Sequence, residues 1–504
     1  MGTATQVIII GAGPTGLALA CQLHRYNIDF LILDKNSRTT HLSKAMVVHA
    51  RTLEIFDETG LAERAVAMGQ IASEFKILSK GKIKGSMSIG AFGEGLSPYP
   101  FALVLEQSKT ENLLAAYLSE HGKSIQWDSE FVRFEETADG VTAYYKTDGR
   151  ELSVNGKYLV GCDGAASPIR HQLGYGFEGD TQERNFYVAD VKVVGEIAHG
   201  NYAYFVMIDK GFVLFFPMEG EQHYRIIGTV PGAIAGKEKV RFHEIAESLR
   251  REMMMPVDFV EEFWFSTYKV HSRLAASFGK GRCLIAGDAA HIHTPAGGQG
   301  MNTGIQDAYN LGWKLAFIIN GHGGQQLLNS YDVERRGNAK NLLRTTDRMF
   351  DLLAGTGPLT NFFRLYLFPT IIGFVTKLPF INKRIFPTLS QIGISYPDSP
   401  LTVKSSLGSI KAGDRMPYFE VGGQSIYRKL AAPGCTLLYF GSNDRTGEIA
   451  FPPNITIISF IDVPKPFRGH IDFYIALRPD NYIAYIGKDA TEAAGALQKI
   501  FSIA

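Results

Sequence analysis

The sequence predicts an α/β protein with a Rossmann-like domain, an antiparallel sheet inserted into it and a separate domain at the C-terminus. Three observations predict this class. The apolar run from Val7 to Ile10 leads into a glycine-rich turn and then a helical pattern, the order of a strand, a turn and a helix. A second unit of the same order occupies residues 281–316. Between the two units, residues 176–270 are rich in Tyr, Phe, Val and Ile with alternating polarity, which is typical of an antiparallel sheet.

Length and composition narrow the class further. A chain of 504 residues with 45% hydrophobic and 20% charged residues can build about three ordinary globular domains. The net charge of +1 argues against a nucleic-acid partner, because no basic field would attract phosphates. The four cysteines form no C-x-x-C pair, so we interpret them as reduced core residues of a cytoplasmic protein. The apolar runs are too short for a signal-peptide core or a membrane span.

The first motif is G-x-G-x-x-G, which lies between the first strand and the first helix. Its glycines allow a tight turn and a close approach of the backbone to a pyrophosphate, and an acid roughly 20 residues further on accepts from a ribose hydroxyl. The motif predicts dinucleotide binding without choosing between FAD and NAD. Its candidate contacts are Gly11, Gly13, Pro14, Thr15, Gly16, Asp34 and Lys35.

Residues 125–160 follow as a predicted β-meander, with turn signals at Asp139-Gly140 and Asp148-Gly149. The meander ends in an apolar strand and then in Asp163-Gly164. An aspartate at this place is either a ligand contact or part of a plain strand-to-helix turn, where Asp and Gly are common in any case.

The 281–316 unit places Asp288 at the end of a buried strand, before a loop of small residues and an amphipathic helix. A carboxylate at the carboxyl end of a strand can accept hydrogen bonds from two hydroxyl groups of a sugar-like chain. Glycines ahead of a helix let a flat ligand reach the backbone, whose N–H groups favour an anionic ring edge. The alternative is that these glycines only relieve crowding.

The whole 281–316 string resembles, nearly residue for residue, the second flavin motif of the group A flavoprotein monooxygenases. This p-hydroxybenzoate hydroxylase-like family includes phenol hydroxylases and aromatic polyketide hydroxylases. The resemblance implies that the aspartate binds the ribitol and pyrophosphate region of FAD and that the following loop lies along the isoalloxazine. The implied FAD contacts are Asp288, Pro295, Gly298, Gly300, Met301 and Asn302.

Three further segments are similar to the same family. Residues 44–54 resemble its R-A-x-x-x-x-x-R-T-x-E segment, with Lys44 in place of the arginine near the flavin. Arg51 and Glu54 are predicted to pair on a helix at i and i+3. The resemblance also implies that Gln107 touches the flavin phosphates, with a surface-helix position as the alternative, and that Asp163 belongs to a motif serving both FAD and the nicotinamide donor.

The family resemblance divides the chain into an FAD-binding domain (1–175 and 271–345), a substrate-binding sheet (176–270), a helical connecting segment (346–397) and a thioredoxin-like domain (398–504). The sheet would roof the substrate pocket, and the helical segment would cap the pocket, form a subunit contact or pack in the core. Without C-x-x-C, the last domain is expected to have a structural role or to support a homo-oligomer. The substrate-pocket candidates, each with a structural role as the alternative, are His49, Tyr204, Phe215, Arg273 and Pro295.

The family implies a single-component monooxygenase that uses FAD, NADPH or NADH, and O2 to hydroxylate a phenolic or polycyclic aromatic small molecule through a flavin C4a-hydroperoxide. Two alternatives within the enzymes are modification of a tetracycline- or rifamycin-type antibiotic and a Baeyer-Villiger oxygenation. A flavin-binding reductase or regulatory protein that oxygenates nothing is the alternative from another class. No metal site is expected, because His291 and His293 have no evident third ligand.

Overall fold

A mostly parallel six-stranded sheet carries the N-terminal glycine motif. Its strands pair in parallel, except for the edge strand Gly279–Lys280, which runs antiparallel to its neighbour. Uninterrupted apolar runs such as Val7–Ile10 suit strands that are buried on both faces. The strand order is Gly279–Lys280, Cys283–Ile285, Tyr158–Gly161, Val7–Ile10, Phe30–Leu33 and Ile125–Gln126.

The first helix, Pro14–Arg25, lies against the long helix, Gly300–Ile319, on this sheet. Glycines on the long helix permit the close approach, because a Cβ at Gly304 would lie 2.3 Å from Thr15 Oγ1. The other helices of this half are Ala50–Asp57, Leu61–Met68, Gln107–Glu120, Pro168–Gln172, Leu327–Tyr331 and Gly337–Ala354, with a π-helical turn at Asp332–Arg336.

Two smaller sheets complete this half of the molecule. The predicted meander forms a four-stranded sheet in the order Thr3–Ala4, Arg150–Gly156, Val141–Thr147 and Glu130–Glu136. The predicted turn at Asp148-Gly149 is confirmed, since these two residues have φ of +50° and +72°. The second sheet has the order Val47–Val48, Ala102–Val104 and Gln70–Ala72.

An eight-stranded sheet stands over the first sheet and is antiparallel except where Ala203–Ile208 pairs in parallel with Glu74–Ser79. Most of its strands come from residues 176–270, but it also takes strands from before and after that segment. Local pattern does not specify which sheet a short strand joins. The order is His291–Ile292, Val257–Ala275, Phe177–Gly195, His223–Thr229, Gly211–Pro217, Ala203–Ile208, Glu74–Ser79 and Lys82–Ser88.

Helices cover both faces of the eight-stranded sheet. Phe242–Met253 packs on one face and buries Ile245 and Leu249 there. On the other face the helical segment contributes Leu365, Phe368 and Ile372 to a cluster with sheet residues. The bounds of that segment are a π-helical turn at Phe363–Leu367 and helices at Phe368–Val375 and Pro379–Leu389.

The C-terminal unit is built on a four-stranded sheet in the order Ile455–Phe460, Cys435–Phe440, Phe473–Leu477 and Ile483–Gly487. The first two strands are parallel and the other neighbours antiparallel. Helix Ala490–Ser502 ends the unit. Short hairpins join Ser406–Leu407 to Ile410–Lys411 and Glu420–Val421 to Gln424–Ser425, and a short helix spans Ile426–Lys429.

The computed structural model describes residues 3–40, 45–72, 74–88, 93–198, 202–208, 211–232, 234, 237, 239–294, 297–354, 357, 361–375, 379–443, 446–452 and 455–502. All four cysteines are free and buried, which confirms their prediction as core residues. Among the described helices, none combines the length and the apolar character needed to cross a lipid bilayer.

Candidate functional site

The candidate site lies where three parallel strands end beside the N-termini of two helices. Parallel strands present their carboxyl ends at one edge of the sheet, so the three aspartates that follow them share that edge. These are Asp34, Asp163 and Asp288. The first helix begins after Gly13, and the long helix begins after Gln299. Their free backbone N–H groups make both helix starts favourable places for an anion.

Two glycines of the first motif are required by the fold, and the third faces open space. A Cβ at Gly11, whose φ is +103°, would lie 2.3 Å from the Cys162 carbonyl oxygen. A Cβ at Gly16 would lie 1.9 Å from the Gly11 carbonyl oxygen. At Gly13 no heavy atom lies within 4 Å of that position. The turn therefore leaves room for a ligand to approach the backbone at Gly13.

The carboxylate of Asp34 shapes this turn. Its Oδ2 accepts a 2.6 Å hydrogen bond from the Ala12 N–H, and its Oδ1 accepts from the backbone and side chain of Asn36, both at 2.8 Å. A carboxylate has about four acceptor positions, so Asp34 can still accept from a hydroxyl group. Lys35, the next residue, is exposed.

Asp163 carries a buried acceptor without a partner. Its Oδ2 accepts a 3.2 Å hydrogen bond from the Ile169 N–H, whereas its Oδ1 is buried and has no hydrogen-bond partner among the described residues. Burial raises the pKa of this carboxyl group, against hydrogen bonds from Ser167 and the backbone that lower it. Buried acceptors are nearly always satisfied, so a missing hydroxyl or amide donor fits here.

Asp288 is exposed on the turn Gly287–Ala289, directly after its strand. A buried network holds this turn from behind. Oδ2 of Asp307 accepts from the Gly287 N–H at 3.1 Å and lies 2.6 Å from His291 Nε2, while Oδ1 accepts from Arg335 Nε at 2.7 Å. Burial alone would raise the pKa of Asp307, but His291 and Arg335 outweigh it and lower that pKa.

Neither Asp307 nor Arg335 is among the predicted site residues. A signal was present, because Asp307 is a charged residue beside the apolar positions Ile305 and Ala308 of an otherwise buried helix. A charge in such a place is almost always paired.

The side chain of Asn302 ties the glycine loop to the segment that begins at Met46. Its Oδ1 accepts from the His49 N–H and the Thr52 hydroxyl, both at 2.8 Å, and its Nδ2 donates to the carbonyls of Val47 and Gly298. Since the side chain makes these four bonds within the protein, the backbone N–H is the part of Asn302 open to a cofactor.

His49 takes part in the same connection and does not point its polar atoms into a pocket. Its Nε2 lies 2.9 Å from the carbonyl oxygen of Gly297. Burial lowers the pKa of His49 to about 4, so the ring is neutral and Nε2 donates that bond. This geometry favours the structural alternative for His49, in the loop.

Tyr204 and Phe215 likewise take the structural alternative, in the core of the sheet. Both are buried in the cluster between the sheet and helix Phe242–Met253. Successive strand residues point to opposite faces, and the sequence pattern does not say which face meets the loop. The face over the loop instead carries Phe216 and Ile227.

This second face is largely apolar, apart from the buried pair of Arg225 and Asp190 beside Trp264, and it adjoins the glycine loop. Its cluster includes Val47, whose Cβ lies 3.2 Å from the position of a Cβ at Gly298. The aromatic members from the sheet are Phe75, Phe216, Trp264 and Tyr268. An apolar, aromatic surface beside a glycine-lined loop can hold a flat aromatic molecule.

Gln107 and the pair Arg51 and Glu54 border the site. Gln107 begins its helix, donates its N–H to the Ala45 carbonyl at 2.9 Å and its Nε2–H to Glu111 at 2.9 Å. The predicted helical pair is confirmed, with Arg51 Nη1 at 3.2 Å from Glu54 Oε2.

Arg273 is half-buried on the strand Val257–Ala275, and its Nη2 lies 3.3 Å from the Thr181 hydroxyl. Its Nε is buried without a hydrogen-bond partner among the described residues. Two expected site residues, Lys44 and Pro295, lie outside the described residues.

Taken together, these features fit a dinucleotide such as FAD. The open backbone at Gly13 suits a pyrophosphate, and the unpartnered Oδ1 of Asp163 suits a hydroxyl or amide donor. The long helix has no acidic residue in its first turn, so its N-terminus keeps its positive potential for an anionic ring.

Comparison with known proteins agrees with this geometry. A family model described as an FAD binding domain matches residues 4–346. The chain is 34% identical to 6-methylpretetramide 4-monooxygenase of Streptomyces rimosus over 96% of this chain and 91% of that protein. It is 28% identical to pentachlorophenol 4-monooxygenase of Sphingobium chlorophenolicum over 82% of this chain and 76% of that protein. The solved structure of the OxyS anhydrotetracycline hydroxylase from Streptomyces rimosus superimposes with a TM-score of 0.77 at 28% identity, covering 99% of each chain.

Proposed function

The chain belongs to the FAD binding domain family of FAD-dependent aromatic monooxygenases, and from this premise we propose that it hydroxylates a polycyclic phenolic small molecule. NADPH or NADH is the electron donor and O2 the co-substrate. The observation that carries the proposal is the apolar, aromatic face of the eight-stranded sheet beside the loop before the long helix. That surface suits a flat aromatic substrate better than a polar one.

The proposed FAD contacts divide between the two motifs. The backbone at Gly11, Gly13 and Gly16, with Pro14 and Thr15 in the first turn of the helix, would hold the pyrophosphate. Asp34 and Lys35 would contact the adenosine end of FAD. The phosphates and ribitol of FAD would be bound by Gln107, Asp163 and Asp288. Lys44 is proposed as a further contact of FAD. The loop residues Pro295, Gly298, Gly300, Met301 and Asn302 would lie along the ring.

When bound, FAD would supply the chemistry, accepting a hydride from the nicotinamide and using O2 to hydroxylate the substrate. The protein has two tasks toward it. Backbone N–H groups at the start of the long helix stabilise negative charge on the ring, as an oxyanion hole does. The packed apolar cluster around Phe216 and Trp264 excludes water from the reacting groups.

The proposed substrate class is supported by the relatives that match nearly the full chain. The relative at 34% identity is named for 6-methylpretetramide, and an anhydrotetracycline monooxygenase of Streptomyces rimosus is 30% identical over 97% of this chain. A second candidate is oxidation of a finished antibiotic, because a rifampicin monooxygenase of Streptomyces venezuelae is 27% identical over 96% of this chain. In this proposal the aromatic residues of the sheet face beside the loop replace His49, Tyr204 and Phe215 as pocket contacts. Arg273 is kept as a proposed substrate contact.

We also propose the domain division 1–175 with 271–345, 176–270, 346–397 and 398–504, the last being thioredoxin-like. The support for the last domain is its strand order, with a parallel pair followed by two antiparallel strands and a closing helix. It has no C-x-x-C, so we propose a structural role for it.

The test is a substrate screen with purified protein and FAD, in which NADPH or NADH oxidation is followed by absorbance and products by mass spectrometry. We expect aromatic polyketides to stimulate oxidation and to gain the mass of one oxygen atom. Product structure separates hydroxylation from Baeyer-Villiger insertion. Oxidation that yields only peroxide, with every aromatic left unmodified, would contradict the proposal and favour a reductase.

A further inference from the structure

The helical segment at residues 361–375 carries apolar side chains on two sides, and the described part of the chain covers only one of them. Leu365, Phe368 and Ile372 pack against the cluster under the eight-stranded sheet. The side chains that point away from the sheet are between 44% and 55% exposed, namely Phe362, Tyr366, Leu367 and Ile371. A helix that is apolar all round is normally buried all round, so the outer side is expected to meet a partner.

A neighbouring strand extends this exposed surface. Helix Phe368–Val375 lies against the edge strand Lys82–Ser88, on which Ile83 is 58% exposed. The turn before that strand is attached to the helix, because the Ser79 hydroxyl donates a 2.9 Å hydrogen bond to the Leu365 carbonyl. We define the apolar patch as Ile83, Phe362, Tyr366, Leu367 and Ile371.

Three exposed lysines lie beside the apolar patch, namely Lys80, Lys82 and Lys84. Lys80 Nζ contacts the hydroxyl and ring of Tyr366. The nearest described acid on these strands is Glu74, which contacts Ser86 at the far end of the edge strand. The whole chain has a net charge of only +1, so the three lysines concentrate positive charge beside the patch.

The positive charge of the lysines distinguishes between two partners for the apolar patch, a second copy of this chain and an anionic lipid surface. A second copy bound through the same patch would bring the lysines of both copies together, which is unfavourable. An anionic lipid surface offers phosphates to the lysines and an acyl boundary to the aromatic and aliphatic side chains. We propose that the apolar patch and its lysines bind the surface of a bilayer that contains anionic phospholipid. This attachment would be peripheral and does not depend on the proposed reaction.

The test is flotation of the FAD-loaded protein with two kinds of vesicle, phosphatidylcholine alone and phosphatidylcholine mixed with phosphatidylglycerol. We expect binding to the mixed vesicles, weak binding to the neutral ones, and release as salt is raised. Each lysine near an anionic surface contributes about fivefold to binding, so K80Q/K82Q/K84Q is expected to weaken it by roughly a hundredfold. Phe362→Ser with Ile371→Ser is expected to abolish binding at low salt.

Matched controls are Ile461→Ser, which removes an 84% exposed side chain elsewhere, and Lys146→Glu, which reverses an exposed charge on the meander. Both are expected to bind vesicles like the unmodified protein. Folding of each variant is checked by bound flavin absorbance and circular dichroism. Equal binding to both vesicle types, or no binding by folded protein, overturns the proposal. A concentration-dependent dimer that Ile371→Ser dissociates, without vesicle binding, overturns it in favour of a second copy.

Discussion

Nε of Arg335 donates a 2.7 Å hydrogen bond to Oδ1 of Asp307, and both side chains are fully buried. The other oxygen of Asp307 holds the Gly287 N–H and His291. The turn that presents Asp288 therefore depends on a charge pair in the interior. Removing one partner leaves an uncompensated buried charge, which costs far more than the pair contributes.

We expect Asp307→Asn to lower the free energy of unfolding by about 3 to 5 kcal/mol and to weaken FAD binding, because Arg335 loses its counter-charge and the turn loses its support. Urea unfolding and flavin fluorescence titration measure the two effects. The control is Asp258→Asn, which breaks an exposed pair with Arg250 and should leave the free energy of unfolding nearly unchanged. Similar losses in both variants would contradict the role given to Asp307.

Asp288→Ala is expected to yield folded protein that lacks yellow colour, because the exposed carboxylate is the proposed contact of the ribitol. We expect the FAD dissociation constant to rise by at least about tenfold, or roughly 1.4 kcal/mol. The measurement is the ratio of flavin to protein absorbance after gel filtration. Asp139→Ala, an exposed residue on the meander, is the control. A full complement of FAD in Asp288→Ala would refute the contact.

Gly11→Ala and Gly13→Ala form a pair that separates folding from cofactor binding. At Gly11 the added Cβ would lie 2.3 Å from the Cys162 carbonyl oxygen at φ +103°, so we expect a stability loss of roughly 1 to 3 kcal/mol or more. At Gly13 the Cβ meets nothing within 4 Å. Gly13→Ala should therefore unfold like the unmodified protein but bind FAD about tenfold more weakly. Unchanged FAD affinity in Gly13→Ala would argue against a pyrophosphate there.

The local features of the site could be predicted from the sequence, whereas the hydrogen-bond partners of its side chains could not. Glycine spacing and an Asp after a buried strand are set by neighbouring residues, and so is the i, i+3 pair of Arg51 and Glu54. Asn302 and His49 are occupied by partners about 250 residues away in the chain, which no local pattern reveals.

The sequence leaves open which face of the sheet meets the loop, for a related reason. Alternation along Gly211–Pro217 shows that Phe215 and Phe216 point to opposite sides, but it is symmetric between the sides. Only the packing of helix Phe242–Met253 on one face decides which residue faces the loop. The place of Glu74–Ser79 in the sheet is also not predicted by local pattern, because this strand pairs in parallel with a strand that is distant in the sequence.

Acidification should destabilise the protein through His49. Its pKa is about 4 in the folded protein against about 6.5 when unfolded, so between these values only the unfolded chain gains the proton. Stability is then lost as the pH falls from about 6.5 to about 4, by roughly 3 kcal/mol for this residue. Urea unfolding at several pH values should show a smaller pH slope in His49→Gln. Exposed His243→Gln is the control and should keep the full slope.

A second buried charge cluster attaches the C-terminal unit to the FAD-binding half. Nη1 and Nη2 of Arg478 donate to Glu334 at 2.6 and 2.9 Å, and its Nε donates to Asp480 at 3.0 Å. Glu334 also accepts a 2.8 Å hydrogen bond from Lys314, whose pKa burial lowers to about 8. Trp313 on the same long helix donates to Asp480. The long helix that begins at the glycine loop is thus held from its other end by the C-terminal unit.

We expect Arg478→Met to lower the free energy of unfolding by about 3 to 5 kcal/mol, because Glu334 and Asp480 lose the cation between them. Limited proteolysis should then cut within residues 398–504 before it cuts the rest of the chain, since the unit loses its attachment. Arg64→Met is the control, because Arg64 and Glu120 form a solvent-exposed pair whose loss should leave the free energy of unfolding nearly unchanged. If both variants unfold and digest alike, the cluster does not fasten the unit, and the apolar contacts of Ala490–Ser502 with the core are sufficient.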